Sequence, residues 1–110
     1  MVADAGDEHD DGNVEGGSVV HVADRPEGPW TAVTLPFGCN NPSPMWVEDA
    51  QRWYVFCNNG GRPIMTSPSL ERGPWTTYST VPASNSAPGI TWEDPFLWID
   101  ARGNWHALAH

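Results

Sequence analysis

Gly28-Pro29-Trp30-Thr31 returns as Gly73-Pro74-Trp75-Thr76, 45 residues later. The echo continues downstream of each copy. After the first come Asn40-Asn41-Pro42, Met45-Trp46-Val47-Glu48 and Trp53-Tyr54-Val55-Phe56. After the second come Glu93-Asp94-Pro95, Phe96-Leu97-Trp98-Ile99-Asp100 and Trp105-His106-Ala107-Leu108. Trp46 and Trp98 stand 52 residues apart, as do Trp53 and Trp105, so the seven extra residues fall in the stretch 79–91. A period of about 40–50 residues marks a supersecondary unit that cannot bury its own faces alone.

The segments between these marks read as short strands. Residues 19–23 are β-branched, and Pro26 and Gly28 punctuate the turn that follows. Residues 30–35 alternate threonine with apolar side chains, the pattern of a half-buried strand. Residues 45–48 and 53–58 form a hairpin around Asp49-Ala50-Gln51-Arg52, residues 63–67 a third strand and 75–81 a fourth. Residues 96–100 and 105–109 make a further hairpin around Ala101-Arg102-Gly103. The count is two strands, then four, then two. This is an all-β chain. Its four-stranded unit, about 44–81, reads as one complete β-propeller blade flanked by two half-blades. The open edges of the half-blades predict that the chain alone associates. It stops at His110 inside a strand signal, which suggests a partial gene product.

Composition agrees. Eleven Gly and eleven Pro in 110 residues are more than long helices tolerate, and seven Trp are a heavy aromatic load. No segment holds a helical period, and no apolar run approaches membrane-spanning length, so no membrane partner is expected. The net charge is −9. Six of the fourteen acids (Asp4, Asp7, Glu8, Asp10, Asp11 and Glu15) lie in the leader, and the remaining eight face five Arg, leaving −3. With no Lys and no basic patch, nucleic acid is excluded as a partner. Residues 1–17 read as a disordered acidic leader, and 18–110 as a partial propeller domain of about two blades. The leader lacks the basic start and apolar stretch of a signal peptide. Within it, Asp7-Glu8-His9-Asp10-Asp11-Gly12 is a faint calcium-loop pattern, with Ser18 where the closing Glu should stand; a solvated leader is the simpler reading. A hairpin turning at 49–52 sets Cys57 opposite Pro44 and not Cys39, which favours two free, half-buried thiols over a disulfide.

The apolar strand, turn and GPW of residues 20–30, matched by Ser69-Leu70-Glu71-Arg72-Gly73-Pro74-Trp75, resemble the five-bladed β-propeller glycoside hydrolases. These are the family 43-like enzymes of the arabinanase, levansucrase and invertase superfamily. Glu93-Asp94-Pro95, the following strand and Asp100, then Gly103-Asn104-Trp105-His106, resemble that group's acid-Pro-strand-Asp-x-x-Gly-aromatic hairpin. The resemblance covers about 18–110. It implies five blades and a site at one mouth of the axial channel, where three carboxylates from different blades cleave a glycosidic bond. It also implies a carbohydrate substrate and, for the full-length protein, a monomer and an extracellular place. No cofactor is expected, although the family admits an axial calcium ion.

Glycoside hydrolysis needs one protonated and one ionised carboxyl group flanking the bond. The resemblance places such acids before the innermost strand of a blade, where Glu93 and Asp94 stand. Only one of two adjacent strand residues can face the channel. Pro95 holds residue 94 extended, and Asp94 is the first candidate with Glu93 the alternate. The competing reading is that these acids bond loop amides at a strand start. The preceding blade carries Asn40 and Asn41 at this point, which cannot act as acid or base. Asn41 is a candidate for bonding a sugar hydroxyl or for closing an Asx-turn before Pro42. Trp92 is the candidate for stacking on a sugar ring, and Arg62 for a polar rim. His106 either lines the channel or is an ordinary hydrogen-bonded strand residue. His106 and His110 lie about 13 Å apart along a strand, too far to share a metal ion. Trp30, Trp53, Trp75 and Trp105 are expected to pack between blades. An alternative to the enzyme is a non-catalytic propeller that binds glycans or a protein.

Overall fold

The computed structural model describes residues 2–4, 17–58, 63–81 and 93–109. Every regular element among them is a strand: β1 (Val2–Asp4), β2 (Val19–Val22), β3 (Thr31–Thr34), β4 (Ser43–Val47), β5 (Arg52–Phe56), β6 (Pro63–Ser67), β7 (Thr76–Thr80), β8 (Phe96–Ile99) and β9 (Trp105–Leu108). They form three antiparallel sheets, ordered β1-β2-β3, β4-β5-β6-β7 and β8-β9. The leader thus contributes one element that its acidic composition did not announce. Val2, Ala3 and Asp4 pair with Val22, His21 and Val20.

The two GPW segments fold alike because the chain must reverse tightly before β3 and β7. Gly28 and Gly73 take φ of +84° and +67°, and both Gly-Pro bonds are cis. A Cβ at Gly28 would come within 2.9 Å of the Trp30 amide nitrogen, so only glycine fits this turn.

The four-stranded sheet lies between the other two, and β5 carries the core on both of its faces. On one face Val55 and Cys57 join Val20, Val33, Leu35, Cys39 and Leu70. On the other, Tyr54 and Phe56 join Ile64 and Leu97. Alternation along a strand sends neighbouring side chains to opposite faces, so a strand covered on both sides reads as the unbroken apolar run Trp53-Tyr54-Val55-Phe56-Cys57. Val55 and Phe56 are fully buried. Each such side chain contributes about 1.5–3 kcal/mol through the water it leaves.

Cys39 and Cys57 form a disulfide with Cα atoms 4.9 Å apart, contrary to the free thiols expected from the hairpin. Register is part of the cause, and the segment before the hairpin is the rest. The turn occupies residues 48–51, so Pro44 pairs with Val55 and Ser43 with Phe56. Cys57 therefore lies beyond the ladder, where the Asn58 N–H donates to the Asn40 carbonyl at 2.8 Å and draws segment 39–40 alongside. Buried Ser18 fixes the same segment, its hydroxyl donating to the Cys39 carbonyl and accepting from the Cys39 N–H, both at 2.8 Å. Closing a loop of 18 residues adds roughly 3 kcal/mol by restricting the unfolded chain.

Three of the four repeated tryptophans pack between sheets. Trp53 and Trp75 lie against the first cluster, Trp75 with its ring 5.3 Å from Phe37. Trp105 of β9 meets Tyr54 of β5 at 5.0 Å. Trp30 departs from expectation. It sits at the surface with its indole N–H donated to the Pro26 carbonyl at 3.3 Å, since its sheet is the outermost described on that side.

Candidate functional site: the starts of strands β4 and β8

Two turns of matching geometry lead into β4 and β8. Asn41 has φ of 47° and Asp94 has φ of 46°, and each is followed directly by proline. Asn and Asp are the non-glycine residues that most readily take this left-handed conformation, because their short side chains bond local backbone. Residue 94 is therefore not held extended, as Pro95 alone would suggest; the tight entry into β8 overrides the pre-proline preference. Glu93 and Asp94 precede β8 and are both exposed, while Pro95 is buried beneath them. Asn41 is half-buried.

The two strand starts adjoin. The Leu97 N–H donates to the hydroxyl of buried Ser43 at 3.1 Å. Asn41 and Asp94 thus stand at the same end of neighbouring strands, an amide and an acid in one backbone setting. Trp92, Arg62 and His110 lie outside the described residues, as does the acidic run 7–12.

His106 does not join this end. It pairs with Trp98 across the hairpin, four residues along β8 from Asp94 and so roughly 13 Å away. Its ring stacks on Trp98 with centroids 4.9 Å apart, and its Nε2 lies 3.0 Å from an Asp100 carboxylate oxygen. Asp100 was not a candidate from the sequence, although it opens the Asp-x-x-Gly turn. Its carboxylate accepts the Arg102 and Asn104 N–H groups, each at 2.9 Å, and the Asn104 amide at 3.1 Å. The His106 bond first, then those from Asn104 and Arg102, hold this carboxyl well below the ordinary carboxylate range. The cluster secures the turn.

Compared with known protein families, curated proteins and solved structures, the chain shows no significant match. The functional reading therefore rests on the residues themselves. Among the described residues, no group of three or more His, Cys, Asp or Glu side chains is placed to hold a metal ion, so the axial calcium admitted by the resemblance has no such set here. A cleft of about 300 Å³ opens between the β2–β3 turn and Glu71, with Asp24 and Arg25 on its wall. None of the described candidate site residues lines it.

Proposed function

We propose that the chain is part of a β-propeller glycoside hydrolase acting on poly- or oligosaccharides, with Asp94 as one of its catalytic carboxylates. The observation that carries this reading is the shared left-handed turn before proline at Asn41 and Asp94, on adjoining strand starts. A repeated scaffold offers the same position from successive sheets, and this position can hold a carboxylate beside others contributed by further blades. The sequence resemblance supplies the chemistry. One carboxyl group protonates the leaving oxygen while an ionised partner activates water or attacks the sugar. Asp94 is exposed and supplies one such group; Glu93 is the adjacent alternate. Trp92 stacks on the sugar ring, and Asn41 hydrogen-bonds a sugar hydroxyl. The disulfide supports an oxidising, extracellular place of work.

Asn41 favours a second reading. An amide in the position equivalent to Asp94 cannot exchange a proton, as in a propeller that binds glycans or a protein without cleaving them. The test is kcat and KM on arabino-, xylo-, galacto- and fructo-oligosaccharides, measured on the longest natural form of the protein. Asp94→Asn should lower kcat by about 10²–10⁴-fold with little change in KM, the share that a positioned proton donor or acceptor supplies. Full activity in that variant would move the role to Glu93. Glycan binding without turnover in the wild type would establish the binding module.

A further inference from the structure

The chain shows one sheet whole and the same sheet in two halves. The hairpin β8-β9 corresponds to β4-β5, and the pair β2-β3 corresponds to β6-β7. Faces fix the correspondence residue by residue. Tyr54 and Phe56 of β5 point away from the preceding sheet, as His106 and Leu108 of β9 do, since Leu97 points inward and its cross-strand partner is Ala107. Ile64 of β6 points toward the following sheet, as Val20 of β2 does. Within the whole sheet, Tyr54 pairs with Thr66, Val55 with Met65 and Phe56 with Ile64. Carried over, His106 meets Val22, Ala107 meets His21 and Leu108 meets Val20.

In the structure that edge of β2 is taken by β1, antiparallel and on the side opposite β3, as β5 sits on β6. The replacement is short, three residues against the five of β5. Among the described residues, the matching edge of β9 carries no strand. Four of the exposed large apolar side chains lie on faces that a further strand pair beside β9 or β2 would cover. Phe96, Trp98 and Leu108 are 60%, 39% and 64% exposed on the outward face of β8-β9. Trp46, 38% exposed, shares with Trp53 the face of the central sheet that β2-β3 covers only in part.

We propose that β9 of one copy pairs with β2 of a second copy, displacing β1 and completing a four-stranded sheet β8-β9-β2-β3 across the two chains. Phe96, Trp98 and Leu108 then continue the apolar face begun by Val20 and Val22, and they come to rest on the central sheet of the second copy beside Trp46. The contact is head-to-tail, so it repeats until the assembly closes as a ring or grows open-ended. Each copy adds one whole sheet and one shared sheet, so a closed ring holds an even number of them. The five blades implied by the sequence resemblance need another arrangement. This association rests on the repeat and not on the hydrolase reading: a monomer that cleaves sugars would sink only the first, and an inert oligomer only the second.

The test uses the full 110-residue chain. Light scattering at high micromolar concentration should report a dimer or larger species. Ala3→Pro, which removes an edge-strand donor from β1, should strengthen association several-fold. Ala107→Cys and His21→Cys, each made alone and mixed under mild oxidation, should give a disulfide-linked pair of unlike chains, because direct cross-strand neighbours lie about 4.5–5.5 Å apart. The native cysteines are already paired and do not compete. A wild-type chain that stays monomeric overturns the proposal. So does an oligomer in which the unlike pair forms no faster than the like pairs.

Discussion

The hairpins β4-β5 and β8-β9 begin from the same repeat, yet their first tryptophans, Trp46 and Trp98, end on opposite faces. In the first, four residues turn the chain, with Gln51 at φ 50° and its amide donating to Glu48 at 2.8 and 2.9 Å. Trp46 then faces Trp53, ring centres 5.6 Å apart, on the side of the Cys39–Cys57 cluster. In the second, Asp100 and Asn104 close a turn of three residues, with Gly103 at φ 85°. Trp98 then faces His106, on the side away from the core. Because side chains alternate with a period of two, one residue more or less in a turn moves a strand's whole apolar set to the other face. The pairing at one end of a hairpin is thus set by a residue count at the other.

The comparison is broken most strongly in its buried half. Phe56→Ala opens a cavity in a strand packed on both faces and should cost about 3–5 kcal/mol, whereas Phe96→Ala, at an exposed position of the second hairpin, should cost under about 1 kcal/mol. Urea unfolding of the two variants, at a concentration low enough to keep the chain monomeric, measures the difference; equal losses would mean that β8-β9 is as buried as β5. A middle-sized effect is expected at the turn. Gly103→Ala meets no atom within 4 Å, so its loss of about 1 kcal/mol is conformational alone, and a Tm unchanged from wild type would show that the turn does not need its positive φ. The smallest effect is electrostatic. Asp100 is held below its ordinary value of 3.8, so the folded state binds its proton less readily than the unfolded chain. Its stabilising contribution is present above about pH 4 and fades as pH falls further. The Tm gap between wild type and Asp100→Asn should be widest near neutral pH and should close toward pH 2; a gap independent of pH would place the effect in shape and not in charge.

Much of the strand order could be read from turns and alternation. Residues 63–67 were legible as a strand because Gly-rich and Ser-rich segments bound a short apolar run, and β6 has those limits. The first hairpin was legible in kind but misplaced in register by the position of its turn, and the cysteine pairing was missed because residues 39–40 return alongside Cys57 beyond the ladder. Matching tryptophans 52 residues apart suggested equivalent places for Trp46 and Trp98. The match of Asn41-Pro42 with Asp94-Pro95, one residue out of step, proved the better guide to the backbone. β1 was invisible because Asp and Gly dominate its surroundings and pairing with β2 is a long-range event. At the candidate site, the placing of Asn41 and Asp94 before neighbouring strands followed from the motif. The Asp100–His106 bond did not, because it depends on a register that composition does not encode.

The double burial of β5 couples what the three sheets separate. Val55 and Cys57 anchor one cluster while Tyr54 and Phe56 anchor the other, so neither cluster can loosen without disturbing the strand that supports its counterpart. Amide hydrogens of β5 should exchange with solvent only through opening of the whole assembly of sheets, and those of β9 through local opening. Melting of the two clusters is then a single cooperative event, nucleated or lost at one strand of five residues.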